Sequence, residues 1–68
     1  MNYYKQSSIK QFELGGLRWE FGEYETTGLF YIRCLDMAGV SKTINIRNKA
    51  LANEAAGDFV EEFLETHR

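Results

Sequence analysis

Apolar and polar side chains alternate along two neighbouring segments near the start of the chain. The first segment becomes strand-like at Ile9 and alternates over residues 11–14, the second alternates over residues 17–21, and Gly15 and Gly16 lie between them. Alternation with a period of two is typical of a half-buried β-strand, and a Gly-Gly pair between two such runs favours a tight hairpin. Residues 22–28 begin and end with glycine and are interpreted as a longer connection.

The next segment, residues 29–35, breaks the alternation. It reads LFYIRCL, and Arg33 is its one charged residue. A strand that is apolar on both faces is typical of the centre of a sheet. Residues 36–39 contain Asp and Gly and are predicted to turn, and residues 40–47 alternate again. The pattern therefore predicts a second hairpin, whose first strand needs cover on both of its faces.

A helical spacing of apolar residues follows residue 50. At about 100° per residue, these side chains fall within roughly half of the helix circumference. They are Ala52, Ala55, Ala56, Phe59, Val60, Phe63 and Leu64. The opposite, acidic side of the same helix comprises Glu54, Asp58, Glu61 and Glu65. The segment is therefore predicted to be an amphipathic helix that packs on the sheet.

The start of this helix has two candidate N-caps, Asn48 and Asn53. Leu51 falls outside the apolar arc, which favours the later start. Within the helix, Gly57 costs about 1 kcal/mol relative to alanine. Because it lies at the edge of the apolar arc, a close approach to the sheet is one rationale for it.

Together these elements predict an α+β fold, in which a three- to four-stranded antiparallel sheet of two hairpins carries one C-terminal amphipathic helix on one face. Residues 1–8 are polar with two tyrosines and are interpreted as a flexible N-terminal arm. Residues 9–68 are interpreted as a single ββββα-type domain, since 68 residues leave no room for a second. The predicted sheet contribution to the core is Leu17, Trp19, Phe21, Phe30, Ile32, Cys34, Ile44 and Ile46.

One helix covers only one face of a sheet, so the other face, called the outer face below, is predicted to be open. Its candidate binding residues are Arg18, Leu29, Tyr31, Arg33, Leu35, Asn45 and Arg47. Tyrosine and arginine are favoured in the energetic centres of interfaces. The simpler interpretation is a merely solvated face, because antiparallel sheets often face water on one side. If the face docks, its partner is a second copy of the chain, forming a homodimer, or another protein.

A nucleic-acid-binding face is the alternative interpretation. Arg18, Tyr31, Arg33, Arg47 and Lys49 would supply charges and a stacking surface. In the order of its elements, the chain is similar to the three-stranded DNA-binding domains of some tyrosine recombinases and of a class of plant transcription factors. That similarity rests on topology and implies DNA contacts from the sheet. The pI of about 5.3 counts against it.

The net charge of −2 is unevenly distributed along the chain. Residues 1–49 hold seven Lys or Arg against five acids, whereas residues 50–68 hold one Arg against five acids. Three of these acids, Glu61, Glu62 and Glu65, lie toward the helix C-terminus, where the helix dipole disfavours negative charge. This placement is a hint of an acidic surface for a basic partner, or of a surface that mimics nucleic-acid phosphates.

Residues for catalysis or metal binding are sparse. The only cysteine, Cys34, falls on the core side of its strand, and the only histidine, His67, is the penultimate residue. One of each excludes an internal disulfide and a zinc cluster, and no phosphate-binding loop is present. We therefore expect no enzyme activity, no cofactor and no metal. A free cysteine fits the cytoplasm, and no segment approaches the roughly 20 apolar residues that span a membrane.

The expected function is therefore binding. We expect a small non-catalytic module, most simply a protein-interaction or inhibitory adaptor of the size common in phages and mobile elements, that acts through its outer face and its acidic helix. Nucleic-acid binding through the outer face stays as the alternative.

Overall fold

The computed structural model describes residues 5–67. Four strands and one helix follow one another: β1 (Gln6–Leu14), β2 (Leu17–Tyr24), β3 (Leu29–Cys34), β4 (Ser41–Ile44) and α1 (Lys49–Thr66). The strands form one antiparallel sheet in the order β1-β2-β3-β4. The predicted α+β fold class, with two hairpins and a C-terminal helix, is confirmed.

The β1–β2 hairpin closes at the Gly-Gly pair. Leu14 lies opposite Leu17, and the two residues between them have φ values of +66° for Gly15 and +79° for Gly16. Two successive positive φ values match the twist that a two-residue hairpin turn needs, and glycine adopts them without steric cost.

Strand β1 begins earlier than the alternation indicated. It starts at Gln6, and residues 6–8 pair with the last three residues of β2. A register shift between Ser8 and Lys10 marks a β-bulge. Residues 6–8 are all polar, so no alternation indicated that they belong to the strand. The part of the predicted arm at residues 6–8 is therefore a paired strand, and residues 1–4 lie outside the described residues.

Strand β2 runs through Gly22 to Tyr24, so the connection to β3 is shorter than residues 22–28. The turn is closed by the amide of Gly28, which donates to the carbonyl oxygen of Tyr24 at 2.8 Å. Gly22 is a strand residue directly opposite Tyr31. The extension of β2 also provides the partner for the start of β1.

Strand β4 is shorter than predicted and ends at Ile44. Ile44 pairs with Phe30, and β3 begins only one residue before Phe30, so little of β3 is left for β4 to pair with. The expectation that Asn45 and Arg47 continue the outer face of the strand is therefore wrong. Both lie in the connection between β4 and α1.

The core lies between α1 and the inner face of the sheet, which is the face opposite the outer face. Its buried members are Trp19, Phe21, Phe30, Ile32, Cys34, Ile44, Ala52, Ala56 and Val60. The Trp19 ring meets the Phe63 ring edge-on at 5.6 Å, and Phe21 stacks on Phe30 at 5.5 Å. Aromatic pairs at such distances add to the stabilisation from area burial alone. The apolar arc of the helix packs as its spacing predicted.

The helix begins at the earlier of its two candidate caps. The side chain of Asn48 accepts a hydrogen bond from the amide of Leu51 at 3.0 Å. Leu51 belongs to the helix although it falls outside the apolar arc, and its side chain is 54% exposed. The later start at Asn53 is wrong. The rationale for Gly57 is also wrong, because a Cβ at this position would have no neighbouring atom within 4 Å.

Among residues 5–67, no helix combines the length and the apolar character needed to cross a membrane.

Candidate functional site

Tyr31 lies across the outer face and closes its centre. The residue is 2% exposed, and it is directly opposite Gly22 on β2. A Cβ at Gly22 would overlap the phenol of Tyr31 and would lie 2.6 Å from the carbonyl oxygen of Ser7. Glycine at this position therefore leaves the space that the tyrosine ring occupies. The second face of the LFYIRCL strand is covered in part by its own tyrosine.

A buried carboxylate holds this ring in place. Glu20, 6% exposed, accepts a hydrogen bond from the Tyr31 hydroxyl at 3.0 Å and from Arg33 Nε at 2.8 Å, both on Oε1. Its other oxygen accepts from Gln11 Nε2 at 3.0 Å. These four side chains are called the Glu20 network. A buried charge is tolerated when it is paired and hydrogen-bonded in this way.

The register of the sheet explains why these side chains meet. Gln11 lies opposite Glu20, and Glu20 lies opposite Arg33, so the three form one row across β1, β2 and β3. Opposed side chains on one face of antiparallel strands lie close enough to interact. Among the described residues, every buried side-chain nitrogen and oxygen atom has a hydrogen-bond partner. The centre of the outer face is therefore satisfied without a partner molecule.

The network shifts the pKa values of two of its members. Burial of Glu20 acts to raise its pKa, but the hydrogen bonds from Arg33, Gln11 and Tyr31 together outweigh burial and hold the pKa below its ordinary value. Burial raises the pKa of Tyr31 to about 12, and the hydrogen bond to the Glu20 carboxylate adds to this effect. At neutral pH the network thus contains an ionised Glu20 and a neutral Tyr31.

Arg18 is paired on the same face with a carboxylate from the β3–β4 turn. Its guanidinium lies 2.7 Å from Asp36 Oδ1 through Nη2 and 3.1 Å through Nε, and its amide donates to Oδ2 at 2.7 Å. The hydrogen bonds from Arg18 hold the pKa of Asp36 below its usual value. Leu35, half-buried, donates its amide to the carbonyl oxygen of Arg18. These contacts hold the β3–β4 turn against this end of the outer face.

Asn45 and Arg47 are separated from these groups. Arg47 Nη1 donates to the carbonyl oxygen of Thr27 at 3.3 Å, in the β2–β3 turn, at the opposite end of β3 from Arg18. Asn45 is exposed in the connection that follows β4. The structure therefore brings together Arg18, Leu35 and Asp36 at one end of the outer face and the Glu20 network at its centre, but not the two residues after β4.

The outer face remains open beside the network. A cleft of about 300 Å³ is lined by Tyr24, Thr27, Leu29 and Thr43, and we call it the Tyr24 cleft. Tyr24 and Leu29 are half-buried and Thr43 is exposed. The Tyr24 ring tilts against Tyr31 with 4.9 Å between ring centroids. Leu29 is thus the predicted apolar site residue that lines this cleft, whereas Tyr31 packs against the Tyr24 ring.

The four acids predicted on the helix, Glu54, Asp58, Glu61 and Glu65, are all exposed. Two of them, Glu61 and Glu65, line a groove of about 780 Å³ at the β1–β2 turn. Its other lining residues are Leu14, Gly15, Leu64 and His67. We call this the acidic groove. Acidic and apolar side chains meet in this groove.

Sequence reasoning missed the residues that organise the outer face. Gln11, Glu20, Gly22 and Asp36 were not among the predicted site residues. A glycine within a strand can mark a place where another group approaches closely, but only the pairing register shows that Tyr31 is the residue that lies over Gly22. The ion pairs left no recognisable pattern in the sequence, because they depend on the same pairing register.

Within residues 5–67, no group of three or more His, Cys, Asp or Glu side chains is arranged to hold a metal ion. Cys34 is buried in the core, 6% exposed. The comparisons with known proteins give no family: no protein-family model, no curated protein and no solved structure matches this chain.

Proposed function

We propose that this chain is a non-catalytic protein-interaction module whose outer face docks against a second copy of the chain. The observation that supports this most is the Tyr24 cleft. It places half-buried aromatic and aliphatic surface, from Tyr24 and Leu29, beside a rigid and fully hydrogen-bonded centre. Fixed surfaces lose little conformational freedom on association, which favours binding.

The charges of the face favour a second copy as the occupant. Arg33 is neutralised by Glu20, and Arg18 by Asp36. A two-fold dimer brings each patch against itself, so an unbalanced charge would repel its own copy. The balanced pairs remove that repulsion and leave the apolar cleft to provide the contact. A thin core in a chain of 68 residues also favours association.

Nucleic-acid binding through the same face has less support. The two arginines nearest its centre already contact carboxylates, and those carboxylates would repel phosphates. Lys42 lies on the helix side of the sheet, 5.9 Å over the Phe59 ring. Nucleic-acid affinity depends mainly on cations that can neutralise phosphates. Charge balance therefore makes a protein the better candidate.

Sedimentation equilibrium across a range of concentrations tests the proposal. We expect a dimer that Thr43→Glu weakens at least tenfold, because Thr43 is exposed in the Tyr24 cleft and can change without disturbing the core. The matched control is Asn53→Glu, which adds the same charge at an exposed position of the helix. A chain that stays monomeric up to about 1 mM would overturn the proposal. A dissociation constant of that size corresponds to a binding free energy of only about 4 kcal/mol. A dimer equally weakened by both variants, or by neither, would overturn the choice of face.

A further inference from the structure

Strand β1 forms one edge of the sheet. Within residues 5–67 it pairs only with β2, so the backbone groups on its other side have no partner strand there. An unpaired edge is a template to which another extended chain can add as a further strand. The opposite edge, β4, is four residues long, and a very short edge strand resists pairing of this kind. β1 is therefore the edge that can accept a strand.

The backbone of two β1 residues points toward this edge. The amide of Leu35 donates to the carbonyl oxygen of Arg18 at 2.8 Å, so the backbone of Arg18 is directed toward β3. Arg18 lies opposite Glu13 in β1. Antiparallel strands alternate between pairs that exchange hydrogen bonds and pairs that do not, so the N–H and C=O groups of Glu13 point away from β2. The same alternation directs the backbone of Gln11 outward.

A bulge limits the regular part of this edge to residues 10–14. The register shift between Ser8 and Lys10 interrupts the strand, and bulges at a sheet edge hinder pairing. The side chains of the regular part that lie on the inner face are Lys10, half-buried Phe12 and Leu14, which is 42% exposed. Because α1 packs mainly over β3 and β4, Phe12 and Leu14 lie at the margin of the apolar layer.

We propose that β1 pairs with β1 of a second copy of the chain in antiparallel orientation, with the two Phe12 residues opposite each other on the two-fold axis. In this register Gln11 of each copy lies opposite Glu13 of the other. The outward N–H and C=O groups of both residues are then hydrogen-bonded, and the two four-stranded sheets form one continuous sheet.

The side chains of this register complement one another. Gln11 donates one N–H of its carboxamide to Glu20. A carboxamide has a second N–H, which donates to the Glu13 carboxylate of the other copy. On the inner face, the two Phe12 rings meet at the close spacing of a pair that exchanges no backbone hydrogen bonds, and aromatic pairs across strands are stabilising.

Neighbouring registers are less favourable. Registers that keep the two faces of the sheet differ by two residues. A shift in one direction sets Glu13 opposite its own copy, and like charges directly opposed are destabilising. A shift in the other direction sets Glu13 opposite Ile9, at the bulge. The proposed register instead sets Lys10 opposite Leu14, where the methylene groups of the lysine pack on an apolar side chain. Charge complementarity therefore selects this register and a second copy as the occupant.

This contact does not rest on the proposed function. The edge of β1 and the Tyr24 cleft have no residue in common. Because only residues 10–14 of each chain take part, we expect the edge contact to be weaker than the outer-face contact. It then joins two outer-face dimers into a tetramer near the top of the concentration range. Without dimer formation through the outer face, the edge contact alone gives a dimer.

Sedimentation equilibrium of the Thr43→Glu chain tests the edge contact while the outer face is weakened. Adding Glu13→Pro removes an outward N–H and keeps the hydrogen bonds between β1 and β2. We expect the remaining self-association to fall by about tenfold or more, because an edge proline blocks an incoming strand. Glu13→Gln in the same background is the control, since it keeps the N–H, and should weaken association much less. No effect of Glu13→Pro, or equal effects of the two changes, would overturn the proposal.

Cysteine cross-linking tests the register. Lys10 and Leu14 are exposed, so Lys10→Cys and Leu14→Cys each place a thiol at the edge without disturbing the core. In the proposed register these positions face each other with about 4.5 Å between Cα atoms, a distance that a disulfide spans. In an equal mixture of the two variants, the mixed disulfide should exceed the share that random pairing gives, as measured by mass spectrometry. A random distribution of products would overturn the register and the proposal with it.

The same variants separate this proposal from the proposed function. If Thr43→Glu leaves the molar mass unchanged and Glu13→Pro abolishes association, the outer-face contact fails and the edge contact stands. If Thr43→Glu alone gives a monomer up to about 1 mM, where only affinities weaker than about 4 kcal/mol would escape detection, the edge contact fails. If Glu13→Pro does not fold, as judged by circular dichroism, the cross-linking of Lys10→Cys with Leu14→Cys decides the question.

Discussion

Tyr31 occupies the space that a side chain at position 22 would need. The two residues face each other across β2 and β3, and the phenol lies against the Cα of Gly22 while its hydroxyl reaches Glu20. This one contact explains both the glycine in the strand and the burial of a tyrosine on the sheet face opposite α1. A ring laid over a strand glycine shields backbone that would otherwise be exposed.

Replacing Gly22 by alanine should therefore destabilise the fold. The added methyl would displace the Tyr31 ring or the backbone at Ser7, and overpacking of this kind costs about 1–3 kcal/mol. The measurement is the free energy of unfolding from urea titration. Gly57→Ala is the control, because a Cβ there has open space around it and alanine favours the helix by about 1 kcal/mol. Equal effects of the two changes would contradict the contact.

Removing the hydroxyl of Tyr31 should leave the packing of the ring intact. Glu20 would then lose one of its hydrogen-bond donors. We expect Tyr31→Phe to lower the free energy of unfolding by about 1–2 kcal/mol, the cost of an unmade buried hydrogen bond. The variant should also lose the phenol that ionises near pH 12, which absorbance at 295 nm detects. Because the folded pKa lies above the ordinary value of 10.0, the stabilisation holds below pH 10 and is lost as the pH rises toward 12. A Tyr31 that titrates with the ordinary tyrosines would contradict the network.

The Glu20 carboxylate should make the fold sensitive to acid. Its pKa is lower in the folded state than its ordinary value of 4.5, so the unfolded chain takes up the proton first as the pH falls. The stabilisation is present above about pH 4.5 and is lost as the pH falls through the folded pKa. Urea titrations between about pH 6 and pH 3 should show a shallower loss for Glu20→Gln than for the unmodified chain. The same loss for Glu20→Gln as for the unmodified chain would contradict this role of Glu20.

Asn48 and Asn53 provide a matched pair at the start of the helix. Asn48→Ala should cost about 1 kcal/mol, because it removes the side-chain acceptor for the amide of Leu51. Asn53→Ala should have a neutral or slightly stabilising effect, since alanine is the better helix former at an interior exposed position. Thermal unfolding followed by circular dichroism measures both. A larger loss for Asn53→Ala would place the start of the helix at the later asparagine.

The periodic spacing of apolar side chains was sufficient to predict which faces of the sheet and the helix form the core. Leu17, Trp19 and Phe21 lie on the core face as their spacing predicted, and Val60 and Phe63 face them from the helix. These assignments succeed because a strand turns its side chains every two residues and a helix every 3.6, whatever partner they meet. The Gly15-Gly16 turn was also predicted, because its backbone conformation depends on the two glycines themselves.

The limits of the strands could not be obtained from the same pattern. β1 extends back to Gln6 through a bulge, and β4 stops at Ile44, where the paired length of β3 is nearly used up. The length of a strand depends on how it pairs with its neighbour, and the pairing residues are separated in the sequence. The choice of Asn48 over Asn53 likewise depended on cap geometry more than on the apolar arc.

The sequence by itself determined the order of the elements, the face that each apolar residue buries and the charge of the helix, because these depend on local periodicity and composition. Only the tertiary structure decided the character of the outer face. The pairing register places Gln11, Glu20 and Arg33 in one row and sets Tyr31 over Gly22. Hydrogen bonds and ion pairs between strands require distances of about 3 Å, and such distances exist only once the strands are aligned.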